Sequence, residues 1–461
     1  MNLTTATKLH GFTVDRIRYV EELNATLVEM SHDKTGAALC WMDNGEDNKL
    51  FCIGFKTLPE DSTGVFHILE HSVLCGSEKY PVREPFVELL KSSMNTFLNA
   101  MTFPDKTIYP VSSRNEKDFL NLTSVYLDAV FAPRLLEDAN IFYQEGWHTE
   151  LNDGVPSYKG VVFNEMKGAM SGVDDIEDEG LNALLYPDTC YRFNSGGAPE
   201  VIPNLTYAQF VDTYQRFYHP SNSRIFLDGS VPLEETLAMI DGYLSRYERN
   251  EEKHDIPMQI PVSGAGTCYY EIGEGENPEN KVVFTMAKIV GTWKDKDKLM
   301  AAEVLCDLLA DSNESPLKRA ILSAGLGEDV MLYLRDGVAQ PMLMLRVRNT
   351  SEDKIDTIRT VVRETVSAMV EQGIDRAALE ASVNRYAFRV RQEREPQGLL
   401  HAINSLSSWL YGGDPLMYLV HDKSIASLRD LMDNGGYEKL LRELLLDETG
   451  LVQLKILPCA T

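Results

Sequence analysis

At 461 residues, with 44% hydrophobic and 25% charged side chains, the chain exceeds what one hydrophobic core supports and reads as a globular protein of two domains. A formal net charge of −26 argues against nucleic acid and anionic membranes as partners, and either attracts basic peptides or serves solubility alone. No run approaches the ~18 apolar residues of a membrane span, and residues 1–11 show neither a secretory core nor an arginine-rich amphipathic pattern.

Strand-like runs at residues 25–31 and 37–42 lead to the most informative segment, His67-Ile68-Leu69-Glu70-His71. On a helix, positions i, i+3 and i+4 share a face, so His67 and His71 can each give a nitrogen to one tetrahedral zinc while Glu70 reaches a metal-activated water. The motif is the inverse of His-Glu-x-x-His. Asp61, Ser62 and Thr63 offer oxygens to cap this helix, Val65, Phe66, Ile68, Leu69, Val73 and Leu74 supply its apolar surface, and Gly76 provides a stop. The plainer reading is a helix with two ordinary, partly buried histidines. Catalytic zinc usually takes three protein ligands, and Glu165, the one acid in the apolar run 160–168, is the candidate third. Taken alone it would be a solvated surface glutamate. Cys75, four residues past His71, is a weaker ligand candidate.

Helical patterns follow at 116–131 and 207–217, and the charged stretch 246–255 followed by Pro257, Pro261, Gly264 and Gly266 reads as a linker. Beyond it come a strand at 282–287, a helix at 296–311, a strand pair within 330–348, a helix at 352–372, further helices to 446 and a last strand at 452–457. This order repeats the first unit in outline and suggests an internal duplication. The second copy has no His-x-x-Glu-His, so a catalytic zinc-binding domain at 1–255 and a metal-free domain of similar fold at 256–461 are expected. The seven cysteines are scattered and lack Cys-x-x-Cys spacing, which suits reduced thiols in the cytoplasm.

His67 to His71, Leu74-Cys75-Gly76-Ser77-Glu78-Lys79-Tyr80-Pro81, Thr96 to Thr102, Gly160 to Gly168, Tyr191 to Gly197 with Ile202-Pro203, and Tyr218 to Ser223 together resemble the presequence protease branch of the pitrilysin (insulinase) zinc metallopeptidases, N-terminal half. The resemblance implies an α+β fold of two similar domains, each an antiparallel sheet packed with helices. It implies Zn²⁺ ligands at His67, His71 and Glu165, with Glu70 as general base. It places Asn99 and Ala100 on a strand that pairs with extended substrate backbone, and Phe86 in the pocket for the residue after the cut. As lone residues these could equally be an internal strand and a core aromatic. The implied function is a zinc-dependent endopeptidase that degrades short, unstructured, basic peptides through metal-activated water. Full-length members are about twice this long, and their distal half supplies an arginine and a tyrosine at the oxyanion, to which no residue here corresponds. The alternative is therefore a zinc-binding half, inactive alone, completed by a missing C-terminal half, a partner chain or a second copy in a homodimer.

Overall fold

In the computed structural model, which describes residues 3–82, 85–170 and 172–460, the N-terminal part supplies strands β1 (Lys8–Leu9), β2 (Phe12–Val20), β3 (Ala25–His32), β4 (Ala38–Asp43), β5 (Lys49–Lys56), β6 (Asn95–Leu98), β7 (Met101–Thr102) and β8 (Lys106–Ser113). The hairpin β9 (His148–Asn152) and β10 (Val155–Lys159) stands apart, and β11 (Ser223–Asp228) inserts between β4 and β5. Among the described residues this gives a nine-stranded sheet in the order β1-β2-β3-β4-β11-β5-β8-β6, with β7 also paired to β8. All its pairings are antiparallel except β4 with β11.

The helices that follow are α1 (Val65–Val73), α2 (Pro85–Ser92), α3 (Glu116–Phe131), α4 (Ala139–Glu145), α5 (Val161–Ala169), α6 (Val173–Leu185), α7 (Tyr207–Phe217), α8 (Leu233–Leu244) and α9 (Lys296–Ala310). Two of them begin where local chemistry says they should. Asn115 caps α3 by accepting the Asp118 N–H, and Thr206 with Gln209 forms a capping box at the start of α7. Such caps contribute about 1 kcal/mol each, enough to fix a helix start but not to place the helix. Placement comes from burial. Phe51, Ile53 and Phe55 of β5 share one core with Phe66 and Leu69 of α1, Phe119 and Tyr126 of α3, and Phe210 of α7.

Strand β5 is buried at seven of its eight positions, because its other side-chain row is also covered. The helix Gln397–Trp409 lies there: a Cβ on Gly54 would sit 3.6 Å from Leu406, the Arg224 guanidinium lies 5.7 Å from the Trp409 ring, and His401 Nδ1 is 2.7 Å from Asp228 Oδ2. The first compact unit accordingly comprises Met1–Gly168, Phe193–Ile256 and Arg394–Leu419, and the second comprises Ala169–Arg192, Pro257–Glu393 and Val420–Thr461. One boundary between the units falls at Ile256–Pro257, beside the charged stretch 246–255, and neither unit is continuous along the chain.

The second unit has β12 (Gly264–Ile272), β13 (Val282–Ile289), β14 (Asp329–Arg335), β15 (Met342–Thr350) and β16 (Val452–Ala460) in the order β12-β16-β13-β15-β14. Helix α6 packs on this sheet through Gly180, where a Cβ would come within 2.8 Å of Cys268 Sγ and 3.0 Å of Leu454. The five strands repeat β4-β11-β5-β8-β6 of the first sheet: the first pair is parallel, the next three antiparallel, and a helix (α9 in place of α1) leaves the third strand. The duplication is thus carried by connectivity. Helix α9 has no histidine where α1 has two.

Burial and the nearby Asp336 charge push the Glu303 carboxyl on α9 up to about 7, against the pull of Tyr386 and Arg389. A carboxyl raised on folding gives stability that is complete below its unfolded value and is lost as pH rises through about 7. Glu303→Gln should therefore raise stability by about 2 kcal/mol more at pH 8 than at pH 5.5, measured by urea unfolding at both. An equal effect at the two pH values would contradict it.

Candidate metal centre

Helix α1 turns Val65, Phe66, Ile68, Leu69, Ser72 and Val73 into the core, which leaves His67, Glu70 and His71 on its partly open face. Its N-cap is Gly64, not Asp61, Ser62 or Thr63. Those side chains are spent in the loop: Asp61 accepts from the Thr63 N–H and hydroxyl, and Ser62 Oγ accepts the Asn194 N–H. Gly64 has φ +68°, and a Cβ there would meet the Gly196 carbonyl oxygen at 2.6 Å, so both conformation and space demand glycine. Gly76, with φ +108°, lies just past the helix end as expected.

Helix α5 brings the third carboxylate. It buries Val162 and Phe163 and presents Glu165, whose side chain is 52% exposed. Glu165 Oε2 lies 3.8 Å from His67 Nε2 and 3.7 Å from His71 Nε2, and one ligand atom from each residue falls within 4.8 Å of the other two. Four-coordinate zinc with bonds of about 2.0–2.1 Å holds its ligand atoms roughly 3.3 Å apart, so a small side-chain rotation closes the difference. The other ring nitrogens are already engaged. His67 Nδ1 is 2.9 Å from the Gly196 carbonyl, to which only a protonated nitrogen can donate, leaving Nε2 with its lone pair toward Glu165. His71 Nδ1 is 3.4 Å from Glu145 Oε2. Burial works against a charged His71, but the bond to Glu145 and the charges of Glu70, Glu145 and Glu165 outweigh it and hold its pKa above the usual imidazole value. Two imidazoles and a carboxylate are the donor set of a catalytic zinc, and these residues fit the ion. Among the described residues this is the one group of three such side chains close enough to hold a metal.

Glu70 stands beside the trio and is not part of it. Thr102 Oγ1 donates to its Oε2 at 2.6 Å. Cys75 is also outside the trio, its Sγ lying 3.4 Å from the His71 carbonyl of its own helix. Asn99 and Ala100 lie between β6 and β7 on the sheet edge. The Asn99 N–H donates to the Pro110 carbonyl at 3.3 Å and its own carbonyl accepts the Tyr126 hydroxyl at 3.0 Å, so its main chain faces inward and alternation turns that of Ala100 toward the open edge. Phe86 is half-buried on α2 and packs against the first-unit core, while Arg83 and Glu84 before it lie outside the described residues.

Thr102, Glu145 and the Gly196 carbonyl escape a reading of the sequence alone. Glu145 is a nearly buried acid that no motif marks, and its carboxyl, although burial pushes it up, is held below the usual range by His71 and Gln144. Glu145→Ala is expected to weaken Zn²⁺ binding about 10- to 100-fold with the fold intact, as measured by competition with a chromophoric chelator. Unchanged affinity would show that His71 needs no support.

Residues 51–165 match the family model described as insulinase (peptidase family M16), and residues 204–386 match the model described as peptidase M16 inactive domain. The chain is 42% identical over 457 residues to Protein HypA of Clostridium perfringens, covering 97% of this chain and 47% of the relative. It is 37% identical to Presequence protease 1, chloroplastic/mitochondrial, of Arabidopsis thaliana, covering 97% of this chain and 43% of that protein. The chain thus spans about half the length of the relatives it matches. Among solved structures, a peptidase M16 inactive domain from Pseudomonas fluorescens superposes with a TM-score of 0.70 at 14% identity, covering 94% of this chain and 98% of that one.

Proposed function

The chain belongs to the M16 (insulinase, pitrilysin) peptidase family, in its presequence protease branch, and from that premise we propose that it carries the active centre of a zinc endopeptidase acting on short, unstructured, basic peptides. The observation that carries this reading is Glu70, a carboxylate beside the His67, His71 and Glu165 trio and outside it, for which a purely structural metal site has no use. A bound divalent ion supplies Lewis-acid polarisation of the scissile carbonyl and activation of water. The chain's own residues do the rest. Glu70 takes the water proton and returns it to the departing amine. The edge at Ala100 receives extended substrate backbone, a mode that reads main chain and tolerates sequence. Phe86 lines the pocket for the residue after the cut. The net charge of −26 favours basic peptides by long-range attraction.

No disulfide joins the seven cysteines, which suits a reducing compartment, and we propose the cytoplasm as that compartment. No helix among the described residues is long and apolar enough to cross a membrane. The coverage of the relatives favours a second reading, a zinc-binding half that needs a partner half, or a second copy, to complete turnover. Zinc-dependent cleavage of a quenched basic peptide of about 15 to 30 residues, a length short enough to stay unstructured, separates the two. Cleavage establishes a complete site, and none from zinc-loaded protein establishes the dependent half.

A further inference from the structure

We propose that Thr102 is a positioning residue that sets the direction of the Glu70 carboxylate, an inference that rests on the peptidase reading. Thr102 Oγ1 lies 2.6 Å from Glu70 Oε2, the short distance of a hydroxyl donating to an ionised carboxylate, and it is the hydrogen-bond donor that Glu70 has among the described residues. Among the described residues no second hydrogen bond holds the acid. The buried phenols Tyr109, Tyr126 and Tyr218 feel its charge, but Tyr109 and Tyr218 bond each other at 2.8 Å and Tyr126 bonds the Asn99 carbonyl. A glutamate side chain has three rotatable torsions, and fixing one oxygen leaves the other, Oε1, pointing in a defined direction for proton transfer.

The location of Thr102 gives the contact its meaning. It ends β7, two residues beyond Ala100, and pairs in register with Thr107 of β8. Residues i and i+2 of a strand share a face, so Ala100, which packs on the core, and Thr102, which holds Glu70, lie on one side of a single edge segment. The segment proposed to receive the peptide backbone is thereby the one that aims the base. The two could not shift independently.

Cobalt(II) loading provides a test that needs no turnover, since visible absorption reports the surroundings of the metal's open position. Thr102→Val keeps the branched shape and removes the donor, and Thr102→Ser keeps the donor. Positioning predicts that Thr102→Val moves the cobalt bands in the direction that Glu70→Ala moves them, that Thr102→Ser leaves them as in the wild type, and that Thr102→Val adds nothing on top of Glu70→Ala, which has no oxygen for the hydroxyl to hold. Wild-type bands in Thr102→Val would overturn the proposal, as would an equal shift by Thr102→Val in the Glu70→Ala background, which would mean that the hydroxyl acts on the fold. No cobalt bands in the wild-type chain would instead strike down the metal reading beneath it. In peptide cleavage, Thr102→Val is expected to lower kcat about 10- to 100-fold with KM unchanged, and Thr102→Ser to restore it.

Discussion

Glu70→Gln is expected to bind Zn²⁺ as the wild type does and to lose peptide hydrolysis by about 10²- to 10⁴-fold, the usual worth of a positioned proton acceptor. The substitution is nearly isosteric, and a glutamine oxygen can still accept from Thr102, so the local structure has no reason to move. What is lost is basicity: the amide cannot take a proton at neutral pH. Metal content stays because Glu70 is not among the side chains that converge on the site, which are His67, His71 and Glu165. His67→Ala, by contrast, removes one of those three donors and should lose metal and hydrolysis together. Metal analysis and single-turnover cleavage on the same samples distinguish the two variants. Wild-type cleavage by Glu70→Gln would end the assignment of Glu70 as base.

Arg346→Ala is expected to destabilise the protein by about 3–5 kcal/mol, a large share of the ~5–15 kcal/mol that holds a typical fold. Glu177 of α6 is fully buried in the second unit, where its carboxylate is bonded to the Arg346 guanidinium and the Thr285 hydroxyl. Arg346 is itself 7% exposed and lies 3.2 Å from Asp174. Burial raises the Glu177 pKa even with Arg346 in place, so the arginine offsets a desolvation cost that would otherwise fall on the carboxylate. Removing one partner leaves that cost exposed, whereas replacing both together, as in Glu177→Leu with Arg346→Met, should recover most of the loss. Urea unfolding of the two single variants and the double variant measures this. A loss under about 1 kcal/mol for Arg346→Ala would place the pair among ordinary surface salt bridges.

The parts legible in the sequence are those with short-range causes. The spans 116–131 and 207–217 coincide with α3 and α7 because apolar spacing and a capping side chain lie within the same few residues. The zinc-type motif is legible for the same reason, since one helical turn and a half carries it. Capping of α1 was misplaced onto Asp61, Ser62 and Thr63 because a loop 132 residues away engages Ser62, and an N-cap rule cannot see that competitor. Thr102, Glu145 and Gly196 meet Glu70, His71 and His67 across 32, 74 and 129 residues. Nothing in their local pattern predicts those meetings. Likewise, the amphipathic pattern of α6 and of the helix Gln397–Trp409 shows that each buries a face, but not which sheet receives it.

The two histidines differ in how their orientation is inherited. His67 is aimed by a main-chain oxygen, that of Gly196, in a loop that sits directly against Gly64. No codon change at a neighbouring side chain deletes a carbonyl, so this half of the site is proof against most single substitutions and can fail only by a change in the path of the backbone. His71 is aimed by the Glu145 side chain, which one nucleotide change can remove. Drift toward a metal-free descendant of this chain would therefore be expected to begin at residue 145, with His71 released before His67.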